Sequence, residues 1–212
     1  MSGHSLIKYL VENWIEALGV ATCVWSTWLT TKRKILTWPI GLVSDFAYLA
    51  VFYHARLYAG ALLILGGLPM NFYGWWYWVK GVRDEGEVRV VRLSARSLIV
   101  GLIAGFLGGV ALGLWMNHAH AALPWLDSML TSYSVLGGWW SVRKHIANWW
   151  LWIAVNLVYV GEFVSQHLLL TAMLYIGLIA LSVVGIRDWR RSALAWEAAE
   201  AEEASQVAAC GA

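Results

Sequence analysis

Seven runs of apolar residues follow one another along the chain, at 12–31, 35–54, 57–79, 97–117, 124–142, 147–166 and 168–187. Each is about the 20 residues that a helix needs to cross a bilayer core of roughly 30 Å. Polar residues gather mainly in the gaps. The longest are the segment 80–96, KGVRDEGEVRVVRLSAR, and the stretch 192–212, SALAWEAAEAEEASQVAACGA. The first predicts a charged loop and the second an acidic, Ala-rich tail, helical in part; both are expected to be solvated faces without chemistry. The pattern as a whole predicts an all-α membrane protein with seven transmembrane helices.

Charge supports that number of crossings. Seven crossings place Lys32, Arg33, Lys34, Lys80, Arg83, Arg89, Arg92, Arg96, Arg143, Lys144, Arg187, Arg190 and Arg191 on one side of the membrane and only Lys8 and Arg56 on the other. Basic loops stay in the cytoplasm, so the N-terminus is expected outside and the C-terminus inside. Adding or removing one helix would scatter the basic clusters over both faces.

The runs also repeat. Displacing the chain by 111 residues places Trp28 on Trp139, Ile35 on Ile146, Trp38 on Trp149, Tyr48 on Tyr159, Phe52 on Phe163, Gly74 on Gly185 and Trp78 on Trp189, and it sets Asp45 against Asn156. Residues 12–79 and 124–191 therefore read as two copies of one three-helix unit. Three helices end on the side opposite their start, so a second copy in the same orientation needs an odd number of helices between, and the run 97–117 supplies it. A 3+1+3 plan with parallel repeats is the arrangement of the SWEET sugar transporters. The linker helix carries Gly101, Gly105, Gly109 and Gly113, a spacing that lets another backbone approach along one face; a packing seam, within the protomer or between protomers, is the expected use.

Composition agrees: 60% of the residues are hydrophobic, 13% are charged and 16 are Trp, with a mean hydropathy of +0.60. Two cysteines, Cys23 in an apolar run and Cys210 in the tail, make no disulfide framework. The N-terminal MSGHSLIKYLVEN lacks the basic start and cleavage site of a signal peptide, so the first run is expected to be retained. His118 and His120 form an H-A-H expected to be plain loop rather than a metal site.

The informative residues are polar ones inside the membrane. At about 100° per residue, Trp149, Trp152, Asn156, Tyr159 and Phe163 share a sector of roughly 80° on the sixth helix, with Glu162 at its edge. The repeat places Trp38, Gly41, Asp45, Tyr48 and Phe52 on the matching face of the second helix. A carboxylate near the bilayer centre costs at least about 2.5–3.5 kcal/mol, so it faces a cavity or a partner. Asn156 taken alone is equally explained by an interhelical hydrogen bond. Aromatic walls with carboxylates and an amide suit a flat, partly cationic ring bearing a polar appendage, because π-faces attract cations. A vitamin or nucleoside fits better than a bare ion.

The runs Trp149-x-x-Trp152-x-x-x-Asn156, Leu170-Thr-Ala-Met-Leu-Tyr175 and Gly185-x-x-x-Trp189-Arg190-Arg191, with Tyr73-Gly-Trp-Trp-x-Trp78 closing the first copy, resemble the PnuC family of vitamin transporters over nearly the whole membrane part. The resemblance implies a SWEET-like fold in a bacterial inner membrane and uptake of nicotinamide riboside by facilitated diffusion, with trapping by a cytoplasmic kinase and a homo-oligomeric assembly. No cofactor, metal, nucleic acid or enzymatic activity is expected. Asn156 stands where the family pattern often has Asp, Glu162 where an apolar residue is common, and the third helix lacks the Gln of many members. These departures bear on the cargo, and relatives that carry thiamine or riboflavin keep both open. Substrate contacts are expected from Trp149, Trp152, Asn156, Tyr159, Glu162, Asp45, Tyr48 and Tyr175, with alternating access eased by Pro39 and Pro69. Two rivals are an intramembrane enzyme, for which paired Asp residues, H-E-x-x-H and a nucleophile setting are all missing, and a non-transporting sensor.

Overall fold

A computed structural model of the chain describes residues 14–54, 58–85, 88–118, 123–165, 167 and 169–210. Those residues form seven helices: α1 (Trp14–Thr31), α2 (Thr37–His54), α3 (Tyr58–Glu85), α4 (Ala95–His118), α5 (Pro124–Val142), α6 (Ala147–Ser165) and α7 (Leu169–Cys210). The fold is all-α, as the apolar runs predict, and the bounds of α5 coincide with the predicted run. The start of the first run at residues 12–13, and His120, lie outside the described residues. The chain divides into two compact units, Met1–Asp84 and Glu85–Ala212.

In the first unit α1 packs on α2. Gly19 makes this possible: its carbonyl accepts the Ser44 hydroxyl at 2.8 Å, and a Cβ placed there would lie 3.2 Å from the Tyr48 ring. Thr37 caps the contact by donating to the Ser26 carbonyl at 2.8 Å.

In the second unit α4 packs on α5, α5 on α6 and α6 on α7. The glycine row of α4 is the seam with α5. Cβ atoms at Gly101, Gly105 and Gly113 would come within 2.7, 2.8 and 2.6 Å of Trp140, Tyr133 and Trp125, so only glycine permits this approach. Ser132 ties the seam by donating to the Gly105 carbonyl at 2.8 Å. The opposite side of α4 is apolar and exposed, with Ile99, Val100, Phe106, Leu107, Leu114 and Trp115 outward, as a lipid-facing surface requires.

The repeat is legible in backbone geometry. The α1–α2 and α5–α6 turns each reverse through a basic residue in left-handed conformation, Arg33 (φ 56) and Lys144 (φ 62), which are 111 residues apart. Five backbone hydrogen bonds recur at the same offset. Those of Lys32, Arg33, Lys34, Thr37 and Trp38 to Trp28, Thr30, Leu29, Lys34 and Ile35 reappear from Arg143, Lys144, His145, Asn148 and Trp149 to Trp139, Ser141, Trp140, His145 and Ile146. Past the turn, Trp38 meets Trp78 edge-on with centroids 5.4 Å apart at 85°, and Trp149 meets Trp189 at 5.4 Å and 86°. A Cβ on Gly74 would run into the Trp38 ring and one on Gly185 into the Trp149 ring. One Trp–Gly–Trp lock thus fastens the first helix after each turn to the next helix.

Two expectations are corrected. Segment 80–96 is not a loop throughout: α3 continues to Glu85 and α4 begins at Ala95. Nor is the linker simply solvated, whereas the tail is exposed from Glu197 to Val207 as expected. Val88 and Val90 are 3% and 5% exposed, and α7 runs unbroken from Leu169 to Cys210. The Ala- and Glu-rich sequence 195–204 favours helix, and linker arginines engage it.

Candidate functional site

The sixth apolar run becomes α6 because nothing in Ala147–Ser165 breaks a helix and both sides are covered. Trp149 is 2% exposed and enclosed by Gly185 and Trp189 of α7. Trp152 turns the other way, onto Gly137 of α5, where a Cβ would lie 3.2 Å from its ring. It joins a core of Leu130, Trp140, Leu151 and Val155. The two tryptophans of the W-x-x-W therefore hold α6 between its neighbours.

One turn further along α6, Asn156 is 4% exposed. Its repeat mate Asp45 is half-buried on α2 and accepts a hydrogen bond from Asn71 Nδ2 of α3 at 2.5 Å. The residue matching Asn71 is Ser182, 2% exposed, whose hydroxyl donates instead to the Leu178 carbonyl of its own helix at 2.8 Å. The first copy thus spends its amide on Asp45. The second has no such partner to offer, and among the described residues Asn156 makes no side-chain hydrogen bond. A buried amide with its donors and acceptor unspent is poised for a ligand.

Beyond Asn156 the aromatic residues converge. Tyr159 and Phe163 stack at 6.0 Å and 16°, and Tyr175 of α7 closes on both, at 4.9 Å and 5.1 Å. Glu162 is half-buried beside them, with one carboxylate oxygen turned inward. In the first copy Tyr48 and Phe52 repeat the spacing at 6.1 Å. The structure therefore gathers Tyr159, Phe163 and Tyr175 between α6 and α7, with Asn156 and Glu162 on the same helix α6; Trp152 packs toward α5 and Trp149 toward α7, and Asp45 and Tyr48 occupy the equivalent positions of α2 in the first unit.

Two participants escape a reading of the helical stripe. Phe163 shares it but completes the cage only through Tyr175, and Asn71 lies 26 residues from the carboxylate it holds. The repeat register could have found Asn71, because the pair 45 and 156 leads directly to 71 and 182. Among the described residues no three His, Cys, Asp or Glu side chains cluster to hold a metal. At the basic end of α6, burial lowers the pKa of His145, opposed by the Val91 backbone and assisted by the charge of Arg143. His145 is thus neutral at pH 7.

Chemically the cage offers π-faces, a carboxylate and a free amide, with no nucleophile and base in register. That is equipment for recognising a molecule rather than transforming one.

Known proteins agree with this. A family model described as nicotinamide mononucleotide transporter matches residues 13–191. The chain is 27% identical over 207 residues to the nicotinamide riboside transporter PnuC of Escherichia coli (strain K12), covering 85% of this chain and 87% of that one. It is 24% identical over 184 residues to the riboflavin/roseoflavin transporter RibM of Streptomyces davaonensis, covering 83% and 84%. The crystal structure of the vitamin B3 transporter PnuC superposes with a TM-score of 0.74 at 22% identity, over 90% of this chain and 86% of that one, so the fold is shared. With the match extending across the membrane part from α1 to the basic residues of α7, the chain belongs to the nicotinamide mononucleotide transporter family, a family of multi-pass membrane transporters and not of enzymes.

Proposed function

We propose that this transporter takes up nicotinamide riboside by facilitated diffusion through alternating access, and that a cytoplasmic kinase traps the cargo by phosphorylating it. The observation that carries the reading is the unspent amide of Asn156, one turn from the Tyr159–Phe163–Tyr175 cage and accompanied by Glu162. The pyridinium of nicotinamide riboside is a flat cation suited to aromatic faces and to a carboxylate, and its carboxamide and ribose hydroxyls are partners for an amide. Trp152, Tyr159 and Tyr175 supply ring contacts, Trp149 fixes the position of α6, and Asp45 and Tyr48 serve at the matching positions of the first copy.

Charge favours the riboside over the mononucleotide. A phosphate calls for Arg or Lys, whereas Ala147–Ser165 and Thr37–His54 contain neither and carry Glu162 and Asp45. The distribution of basic residues supports an N-terminus outside and a C-terminus in the cytoplasm. Assembly as a homo-oligomer and the division into repeats 12–79 and 124–191 around linker helix 97–117 belong to the same reading.

The likeness to RibM makes riboflavin the competing cargo, and thiamine, a second cationic aromatic, the comparison. Calorimetry on purified protein with nicotinamide riboside, nicotinamide mononucleotide, thiamine and riboflavin separates them. Saturable binding of nicotinamide riboside, and none of the mononucleotide at the same concentration, is expected; tight binding of neutral riboflavin instead would overturn the charge argument.

A further inference from the structure

The linker ahead of α4 is tied on two flanks. On one, the Val91 N–H donates to the Lys144 carbonyl at 2.9 Å and the Ile146 N–H donates back to the Val91 carbonyl at 3.3 Å, fastening the linker to the turn from which α6 starts. On the other, Arg89 pairs with Glu200 and lays its guanidinium 5.4 Å from the centroid of the Trp196 ring. Arg92 Nε lies 3.2 Å from Glu197 Oε1. Trp196, Glu197 and Glu200 stand one, three and four residues apart, on one side of the α7 extension.

The connection is distinctive because of what it joins. Within the second unit the helices pack in series, α4 on α5, α5 on α6 and α6 on α7. The linker fastens the two ends of that series, together with the start of α6, at a single point. α7 is one continuous helix from Leu169 to Cys210, so movement of its membrane part is carried outward as by a lever. At 1.5 Å per residue Glu200 is about 27 Å from Ser182, and a tilt of about 10° there moves it about 5 Å. Ion pairs reaching no further than about 4 Å do not survive that displacement.

We propose that Arg89 and Arg92 of the linker and Trp196, Glu197 and Glu200 of α7 form a charge-held latch, closed in this conformation, that opens whenever α7 tilts during transport. The proposal rests on membership of a transporter family and not on the identity of the cargo. The four charged side chains are 41–58% exposed, so the latch is weak and salt-screened, as a contact broken in every cycle has to be.

A reversible crosslink tests this. In a Cys23→Ser, Cys210→Ser background, Arg89→Cys with Glu200→Cys is reconstituted in liposomes, and uptake of labelled nicotinamide riboside is measured before and after oxidation. Labelled riboflavin is the probe should the unsubstituted protein carry that instead, so an error about cargo shows in the unsubstituted protein and not in the latch. The reduced variant transports, which establishes that it folds; the oxidised one loses transport and regains it with reductant. Undiminished transport in the oxidised protein would mean that linker and α7 move as one body, and would overturn the latch. Charge supplies a second reading. Arg89→Glu with Arg92→Glu reverses the sign of the salt dependence of uptake between about 0.1 and 1 M, because salt then screens repulsion instead of attraction as the Debye length falls from about 10 to 3 Å. Adding Glu197→Arg and Glu200→Arg restores the original sign. An unchanged salt dependence in the two-residue reversal counts against a charge-held contact.

Discussion

Asn156→Ala weakens nicotinamide riboside binding by roughly five- to a hundredfold and leaves thermal stability close to that of the unsubstituted protein. The magnitude follows from removing one member of a buried hydrogen bond to ligand, worth about 1–3 kcal/mol when its partner is left unsatisfied. The small effect on folding follows from the free protein, in which Asn156 is buried yet makes no side-chain hydrogen bond among the described residues, so truncation breaks no internal hydrogen bond. Ser182→Ala is the contrasting change. Its hydroxyl is bound to the Leu178 carbonyl of the same helix, and its loss leaves affinity unaltered. Calorimetry and thermal unfolding on both variants decide the matter; an Asn156→Ala protein that melts normally and binds normally removes this residue from the site.

The second large effect concerns the scaffold. Gly185→Ala and Gly74→Ala each destabilise the protein by about 1–3 kcal/mol, the usual cost of overpacking, because the new methyl group meets the face of Trp149 or Trp38. Neither indole can yield easily, being held edge-on by Trp189 or Trp78, both fully buried. Uptake falls most with Gly185→Ala, since displacing Trp149 shifts α6 and Asn156 with it. Gly66→Ala and Gly177→Ala, with nothing within 4 Å of the added Cβ, are neutral or raise stability by up to about 1 kcal/mol, as removing a glycine from a helix does. Equal loss at all four positions would show that the Trp–Gly–Trp lock has no special standing.

The helices were legible in the chain because lipid imposes so strong a rule: a spanning segment has to be both apolar and helical, and each predicted run has its helix. The repeat was legible because tight packing and membrane topology constrain residue type. Glycine beneath tryptophan at 74 and 185 is a packing necessity, and the basic residues at the turn positions 33 and 144 follow the cytoplasmic bias of Lys and Arg; both features survive in both copies. The site was only half legible. A helical stripe names what one helix presents, hence Asn156 and Tyr159, but not what its neighbours do with it. It set Trp149 and Trp152 on one face as substrate contacts, whereas Trp149 packs on α7 and Trp152 on α5, and it missed Asn71, whose role depends on a contact between α2 and α3. The length of α7 escaped for another reason. Hydropathy ends at Arg187, yet a helix outside the membrane needs only good helix formers and something to hold, and its hold on Arg89 and Arg92 joins residues far apart in the chain.

The central claim, that a buried amide beside an aromatic and acidic cage selects a cationic nucleoside for passive passage, is tested most directly by flux in proteoliposomes that contain the purified protein and no kinase. Labelled nicotinamide riboside is predicted to enter until inside and outside concentrations are equal, whether or not a pH gradient is imposed. Unlabelled riboside, but not riboflavin, competes. Enclosing a nicotinamide riboside kinase with ATP turns equilibration into accumulation. Accumulation against a gradient without the kinase, or entry of riboflavin in place of the riboside, contradicts the account.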